Sequence, residues 1–172
     1  MKVLGIDQSY TSAGYCIINE NEEVLDFGTI KTTQEDGDIF TRARIITDSL
    51  KKIADDNAVD FVGLEGLAFG GFGNATRDLA GLQFLIVDAF GSAYIKIYAP
   101  TSVKKLAVGK KKGKIQKQDL FDSLPEKTKK ILTESGLKKT KGLFDVVDSF
   151  WISVYTLRDS KRDTTNEPNN NT

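Results

Sequence analysis

A chain of 172 residues, 40% of them hydrophobic and 28% charged, has the length for one domain with a core of its own. A single cysteine and no histidine exclude a disulfide framework and every catalytic or metal-binding scheme that relies on imidazole. The 24 basic and 24 acidic side chains cancel in sum but are segregated: residues 1–100 carry 8 basic against 15 acidic, and residues 101–142 carry 13 against 4. Such a division points to a local surface for a polyanion.

The apolar run after Lys2 is too short for a signal peptide, and no stretch reaches the length of a membrane span. Cys16 lies in an apolar run and reads as a buried, reduced thiol. The expectation is a soluble protein of a reducing compartment, the cytoplasm (the host's, if a phage encodes it).

In chain order, Lys2 to Asp7 reads as a short buried strand that ends abruptly in a carboxylate, with the polar turn Gln8 to Ser12 behind it. Ala13 to Ile18 and Val24 to Ile30 read as two further strands, joined by the turn formers Asn19 to Glu22. Asp38 is placed to cap a helix running to about Asp55, with Ala43, Ile46, Leu50 and Ile53 on its buried stripe. Asp60 to Glu65 repeats the opening pattern of an apolar strand ending in an acid. Because a helix precedes it, this strand should lie parallel to the first, with Asp7 and Glu65 at one sheet edge.

The loop from Gly66 to Gly73 carries Phe69 and Phe72 among four glycines. Asn74 then caps a helix to about Phe90, followed by a strand from Tyr94 to Ala99. That helix is apolar nearly all round, and a face not needed to cover the sheet predicts a dimer seam through Leu82, Phe84 and Leu85. From Thr101 to Gly142 the sequence is weakly helical and strongly basic. Lys104, Lys105, Lys110, Lys111, Lys112, Lys114 and Lys117 are candidates for phosphate contacts. A last helix runs from about Leu143 to Arg158, with Leu143, Val147, Phe150, Trp151 and Val154 on one apolar face. Asp145 and Asp148 share the opposite side, in apolar company. The expected domain is 1–158, with 159–172 a disordered polar tail.

Asp7, Glu65, Asp145 and Asp148 are thus the acids placed at element ends or among apolar neighbours. Hard divalent cations take oxygen ligands, and four carboxylates at one sheet edge suit two such ions about 3.5–4 Å apart. Beside a basic surface, that set points to phosphodiester hydrolysis.

The order strand–Asp, hairpins, helix, strand–Glu, helix, strand, basic segment, helix with Asp-x-x-Asp resembles the RNase H-like nucleases. Val3-Leu4-Gly5-Ile6-Asp7, Gly63-Leu64-Glu65, Ser102-Val103-Lys104 and Asp145-Val146-Val147-Asp148-Ser149 resemble the RuvC-type Holliday junction resolvases in particular. The resemblance spans roughly residues 1–158. It implies an α/β RNase H-like fold, a mixed five-stranded sheet of three antiparallel and two parallel strands with helices on both faces. It also implies a homodimeric, Mg²⁺-dependent endonuclease that cuts branched DNA symmetrically. Asp7, Glu65, Asp145 and Asp148 would be ligands to two Mg²⁺ ions per site, with Mn²⁺ able to substitute, and Lys104 and Lys117 would stand at the family's basic positions. No membrane and no nucleotide cofactor is implied. Gln8-Ser9 stands where bacterial members commonly carry Pro-Gly, Phe69 matches the family's aromatic wedge only loosely, and the lysine loop at 109–114 is long. These features resemble the divergent, phage-type branch and imply a relaxed sequence preference. Two other readings are a branched-DNA binding protein without cleavage and an ATP-binding protein of the actin and sugar-kinase group, which shares Gly-Ile-Asp-x-Ser but needs a second, duplicated domain.

Overall fold

The protein is described by a computed structural model covering residues 1–67 and 73–166. The sheet contains β1 (Lys2–Asp7), β2 (Ser12–Asn19), β3 (Val24–Lys31), β4 (Phe61–Glu65) and β5 (Ile95–Tyr98), in the order β3-β2-β1-β4-β5. β1, β2 and β3 are antiparallel, whereas β4 runs parallel to β1 and β5 parallel to β4. The expected mixed sheet is therefore present, and Asp7 and Glu65 end neighbouring parallel strands.

The helices are α1 (Ile39–Asp56), α2 (Asn74–Phe90), α3 (Pro100–Val108), α4 (Lys117–Asp122), α5 (Glu126–Glu134) and α6 (Leu143–Asn166). Asp38 caps α1 as expected, accepting a hydrogen bond from the Thr41 amide at 2.8 Å. Asn74 does not cap α2: Gly73 holds the cap position without a side-chain bond, and Asn74 is the first helical residue. The basic segment is more ordered than its composition suggests, because Val103, Leu120, Leu124 and Leu132 anchor α3 to α5 in the core.

Strand parity divides the core in two. Leu4, Ile6, Val62 and Leu64 face α1 and α2 and pack with Ile46, Leu50, Leu82 and Ile86. Val3, Cys16 and Ile18 face the other way, into a core with α6 and the helices that cover it. Gly5 and Gly63 share that second parity and are register partners, so α6 can approach the sheet closely there. A methyl group on Gly5 would lie 2.1 Å from the Ser149 carbonyl oxygen, and one on Gly14 would lie 2.4 Å from that of Asp145. The residues of α6 over these glycines are small and polar, and their hydroxyls are satisfied within the helix. Ser149 donates to Asp145 O, Ser153 to Phe150 O and Thr156 to Ile152 O, each at 2.7 Å. The opposite side of α6 carries Val147, Phe150, Trp151 and Val154 into the core, where the Trp151 indole N–H donates to Leu120 O at 3.0 Å.

Two expectations need correction. The last helix does not stop at Arg158 but continues to Asn166, so residues 159–166 of the expected tail are helical despite their lack of apolar residues. Polar contacts hold these turns instead. Arg158 grips Glu22 through two bonds of 2.7 and 3.0 Å, Tyr98 and Lys96 donate to Asp159 at 3.1 Å, and Lys161 donates to Glu20 O at 2.9 Å. The second correction concerns α2. Leu82 is fully buried in the core and is not offered to a second molecule, whereas Leu85 is only partly buried against that core and Phe84 is 72% exposed. Among the described residues no helix is long and apolar enough to cross a membrane.

Candidate functional site

Period-two alternation explains how the acids meet. Asp7 lies two residues beyond Gly5, and Glu65 two beyond Gly63, so both carboxylates point to the face on which α6 rests. The first turn of α6 carries Asp145, with Asp148 one turn on, over the same edge of the sheet. Ser12, which opens β2 with the parity of Gly14, donates from Oγ to Asp145 Oδ2 at 2.8 Å.

The four acids feel one another. Burial pushes the pKa of Asp7 well above the ordinary carboxylate range, and the charges of Asp148, Glu65 and Asp145 push it further. Burial likewise raises Glu65, with Asp148 adding to the effect and Lys104 and Lys117 opposing it. Asp148 is raised by burial, against the pull of Lys117 and Lys104. The Lys117 ammonium sits 3.4 Å from Asp148 Oδ2 and 3.7 Å from Asp145 Oδ1. Burial works against its charge, but Asp148, Asp7 and Asp145 more than offset this and raise its pKa.

The donor set is all carboxylate oxygen, the type that hard divalent cations prefer. The carboxyl groups share the edge without closing on a common point: among the described residues no three acids stand close enough to hold one ion. Like charges in a partly dry site resist approach until a cation neutralises them, and Asp7, Glu65 and Asp148 carry that cost as raised pKa values. The residues present therefore suit a divalent cation in chemistry and in electrostatic need.

The charges of Lys104 and Lys117 both act on Glu65 and Asp148. The other candidate lysines lie to one side: Lys105, Lys110, Lys111 and Lys112, together with Ile115, line an open cavity of about 570 Å³ under the loop between α3 and α4. Lys110, Lys112 and Lys114 are exposed, and Lys111 pairs with Asp119 at 2.5 Å. Phe69 and Phe72 lie outside the described residues. Sequence reasoning passed over Ser12, Gln8 and Gln83. Gln8 donates from Nε2 to Glu65 O at 2.9 Å and to Gln83 Oε1 at 3.0 Å, tying the end of β1 to that of β4 and to α2. The one local signal for these residues was a polar turn directly behind a buried acid.

Comparison with solved structures returns junction resolvases. RuvC of Thermus thermophilus in complex with a Holliday junction substrate matches with a TM-score of 0.69 at 16% identity, covering 96% of each chain. The yeast mitochondrial Holliday junction resolvase matches at 0.67 and 14% identity, over 95% of this chain and 80% of that one. The Fowlpox virus resolvase with its substrate Holliday junction DNA matches at 0.57 and 16% identity, over 93% and 99%. At these identities the likeness concerns the fold, which is the RNase H-like one. No match was found among the curated proteins. The family model described as crossover junction endodeoxyribonuclease RuvC matches residues 3–135, a stretch that takes in Asp7, Glu65, Lys104 and Lys117. The match covers well over half of the chain, which therefore belongs to the RuvC family of crossover junction endodeoxyribonucleases.

Proposed function

We propose that the protein resolves four-way DNA junctions by paired incisions as a homodimer, with Asp7, Glu65, Asp145 and Asp148 as ligands of Mg²⁺, two ions per site, and with Mn²⁺ able to substitute. The observation that carries this reading is the meeting of four acids with Lys104 and Lys117 at one sheet edge, in a chain of a junction nuclease family whose members depend on divalent metal.

When bound, a hard divalent cation supplies Lewis-acid stabilisation of the charge that develops as a phosphodiester breaks. The rest of the work falls to the chain. The buried carboxylates, costly in their bare form, gain from holding a cation, so much of their electrostatic strain becomes affinity. Lys104 and Lys117 counter the acids' repulsion of DNA and hold a backbone phosphate against the site. Lys110, Lys112 and Lys114 extend positive charge along a glycine-bracketed loop where they meet backbone rather than base edges, in keeping with recognition of shape over sequence. Phe84 on α2 supplies an exposed apolar contact for a second copy, next to a shallow cavity that it lines with Val87 and Gly91.

Cleavage of a synthetic four-way junction in Mg²⁺ tests the reading. Wild-type protein should make paired, symmetric cuts. Asp7→Asn should bind the junction as tightly or more tightly and cut it at least 100-fold more slowly, since one ligand is lost and one charge that repels phosphate goes with it. Phe84→Glu should sediment as a monomer and leave single nicks. Appreciable cutting by the Asp7→Asn protein would sink the proposed role of the acids, and a dimeric Phe84→Glu would move the seam elsewhere.

A further inference from the structure

The turn Gln8–Thr11 joins the last residue of β1, Asp7, to the first of β2, Ser12. It is held from several sides. Gln8 is buried and bonded to Glu65 O and Gln83. Tyr10 donates its hydroxyl to Asp78 O, on α2, at 3.1 Å. From α1, Arg42 donates through Nη2 to Tyr10 O at 2.8 Å and through Nε to Thr32 Oγ1 at 2.9 Å, with its guanidinium 5.8 Å from the centre of the Tyr10 ring. Thr32, itself buried, donates to the same Tyr10 carbonyl.

The use of Arg42 is unusual. Among the described residues no carboxylate pairs with it, and its partners are neutral oxygens and an aromatic face. Neutralising a charge is therefore not its role here. A guanidinium presents several donors in one rigid plane and can hold two acceptors in a set geometry, which a lysine cannot do. What it fixes is the path of the chain between an acid of the sheet and the hydroxyl of Ser12. That hydroxyl takes Asp145 Oδ2, so Oδ1 is the oxygen left facing Lys117. Two acids from distant parts of the sequence thus depend on one turn for their relative placement.

We infer that the Gln8–Ser12 turn is a positioning device for the cation site: Ser12 sets the direction of the Asp145 carboxylate, and Arg42 keeps Ser12 in place. The inference rests on the reading of the four acids as metal ligands. Hydrogen bonds that orient ligands typically govern metal affinity by about 10- to 100-fold.

Calorimetric titration with Mn²⁺, alongside metal-free melting curves, tests it on wild-type protein and on Ser12→Ala, Ser12→Thr and Arg42→Lys. Ser12→Ala should bind Mn²⁺ about tenfold more weakly with little change in melting temperature, and Ser12→Thr, which keeps the hydroxyl, should recover most of the loss. Arg42→Lys should also weaken Mn²⁺ binding, and should lower kcat on a junction with KM unchanged. Equal affinity in Ser12→Ala and wild type overturns the role of Ser12, as does an equal loss in Ser12→Thr. An Arg42→Lys protein that melts lower yet binds Mn²⁺ as before overturns the role of Arg42. Absence of Mn²⁺ binding by the wild type would instead remove the metal-site reading beneath the inference.

Discussion

Asp7 sits where a carboxylate is least comfortable, buried at a strand end and faced by Asp148 and Glu65. Its folded-state pKa is raised, so the unfolded chain gives up this proton more readily than the native protein does. Without metal, stability should therefore fall as pH rises from the ordinary carboxylate range through the raised value. Asp7→Asn removes the charge and keeps the shape. In EDTA at neutral pH its melting temperature should exceed that of the wild type by about 2–4 °C, the shift expected for roughly 1 kcal/mol in a chain of this size. Adding Mg²⁺ should narrow or reverse the gap, because the wild type gains more from the ion. Scanning calorimetry with and without Mg²⁺ checks this, and a variant that melts several degrees below wild type in EDTA would refute the proposed strain.

The unit that builds the site is the pair of Gly-x-acid strand ends beneath α6. Glycine brings the helix down onto the sheet, and the acid two residues on inherits the same face and meets the helix's own aspartates. The two glycines should differ in how they tolerate alanine. At Gly5 the added methyl meets backbone, 2.1 Å from Ser149 O, and α6 would have to lift; the cost should reach or exceed about 3 kcal/mol. At Gly63 it meets the Thr156 side chain at 1.9 Å. Thr156→Ala should therefore restore part of the stability lost in Gly63→Ala and none of that lost in Gly5→Ala. Urea denaturation of the single and double variants decides it: equal rescue of both glycine variants would show that the contact at Gly5 is not set by backbone.

Across the whole molecule, folding turns a charge division along the chain into one in space. The lysines of residues 101–142 supply Lys104 and Lys117 to the acidic edge and leave an exposed loop beside it. For duplex arms, each phosphate neutralised contributes about −0.9 to the slope of log affinity against log salt. Replacing Lys110, Lys111, Lys112 and Lys114 with alanine should flatten that slope by about 2–3, weaken junction and plain duplex alike, and leave melting nearly unchanged. Lys111 is already bonded to Asp119 and should contribute less than its neighbours. Binding measured at several salt concentrations is the check, and an unchanged slope would make the loop a solvated linker.

Much of this was legible from local pattern. Short apolar runs ending in Asp7 and Glu65, a crossover helix capped by Asp38, and Asp145 three residues before Asp148 determined the strands, the parallel pairing and the four candidate acids. These are consequences of period, capping and chain connectivity, which act over a few residues. The bond from Ser12 to Asp145 spans 133 positions, and that from Gln8 to Gln83 spans 75. Such contacts follow from how α6 and α2 seat on the sheet, and residue type alone did not announce them. The same holds for α2, which is apolar nearly all round in sequence, whereas packing buries Leu82 and leaves Phe84 outside. The last turns of α6 have little apolar surface and resemble a tail by composition, yet Glu22, Tyr98 and Lys96 hold them from other elements. The sequence by itself determined which groups could do chemistry at the sheet edge. Only the tertiary structure decided how they are held there, because orientation comes from partners that the chain brings in from far away.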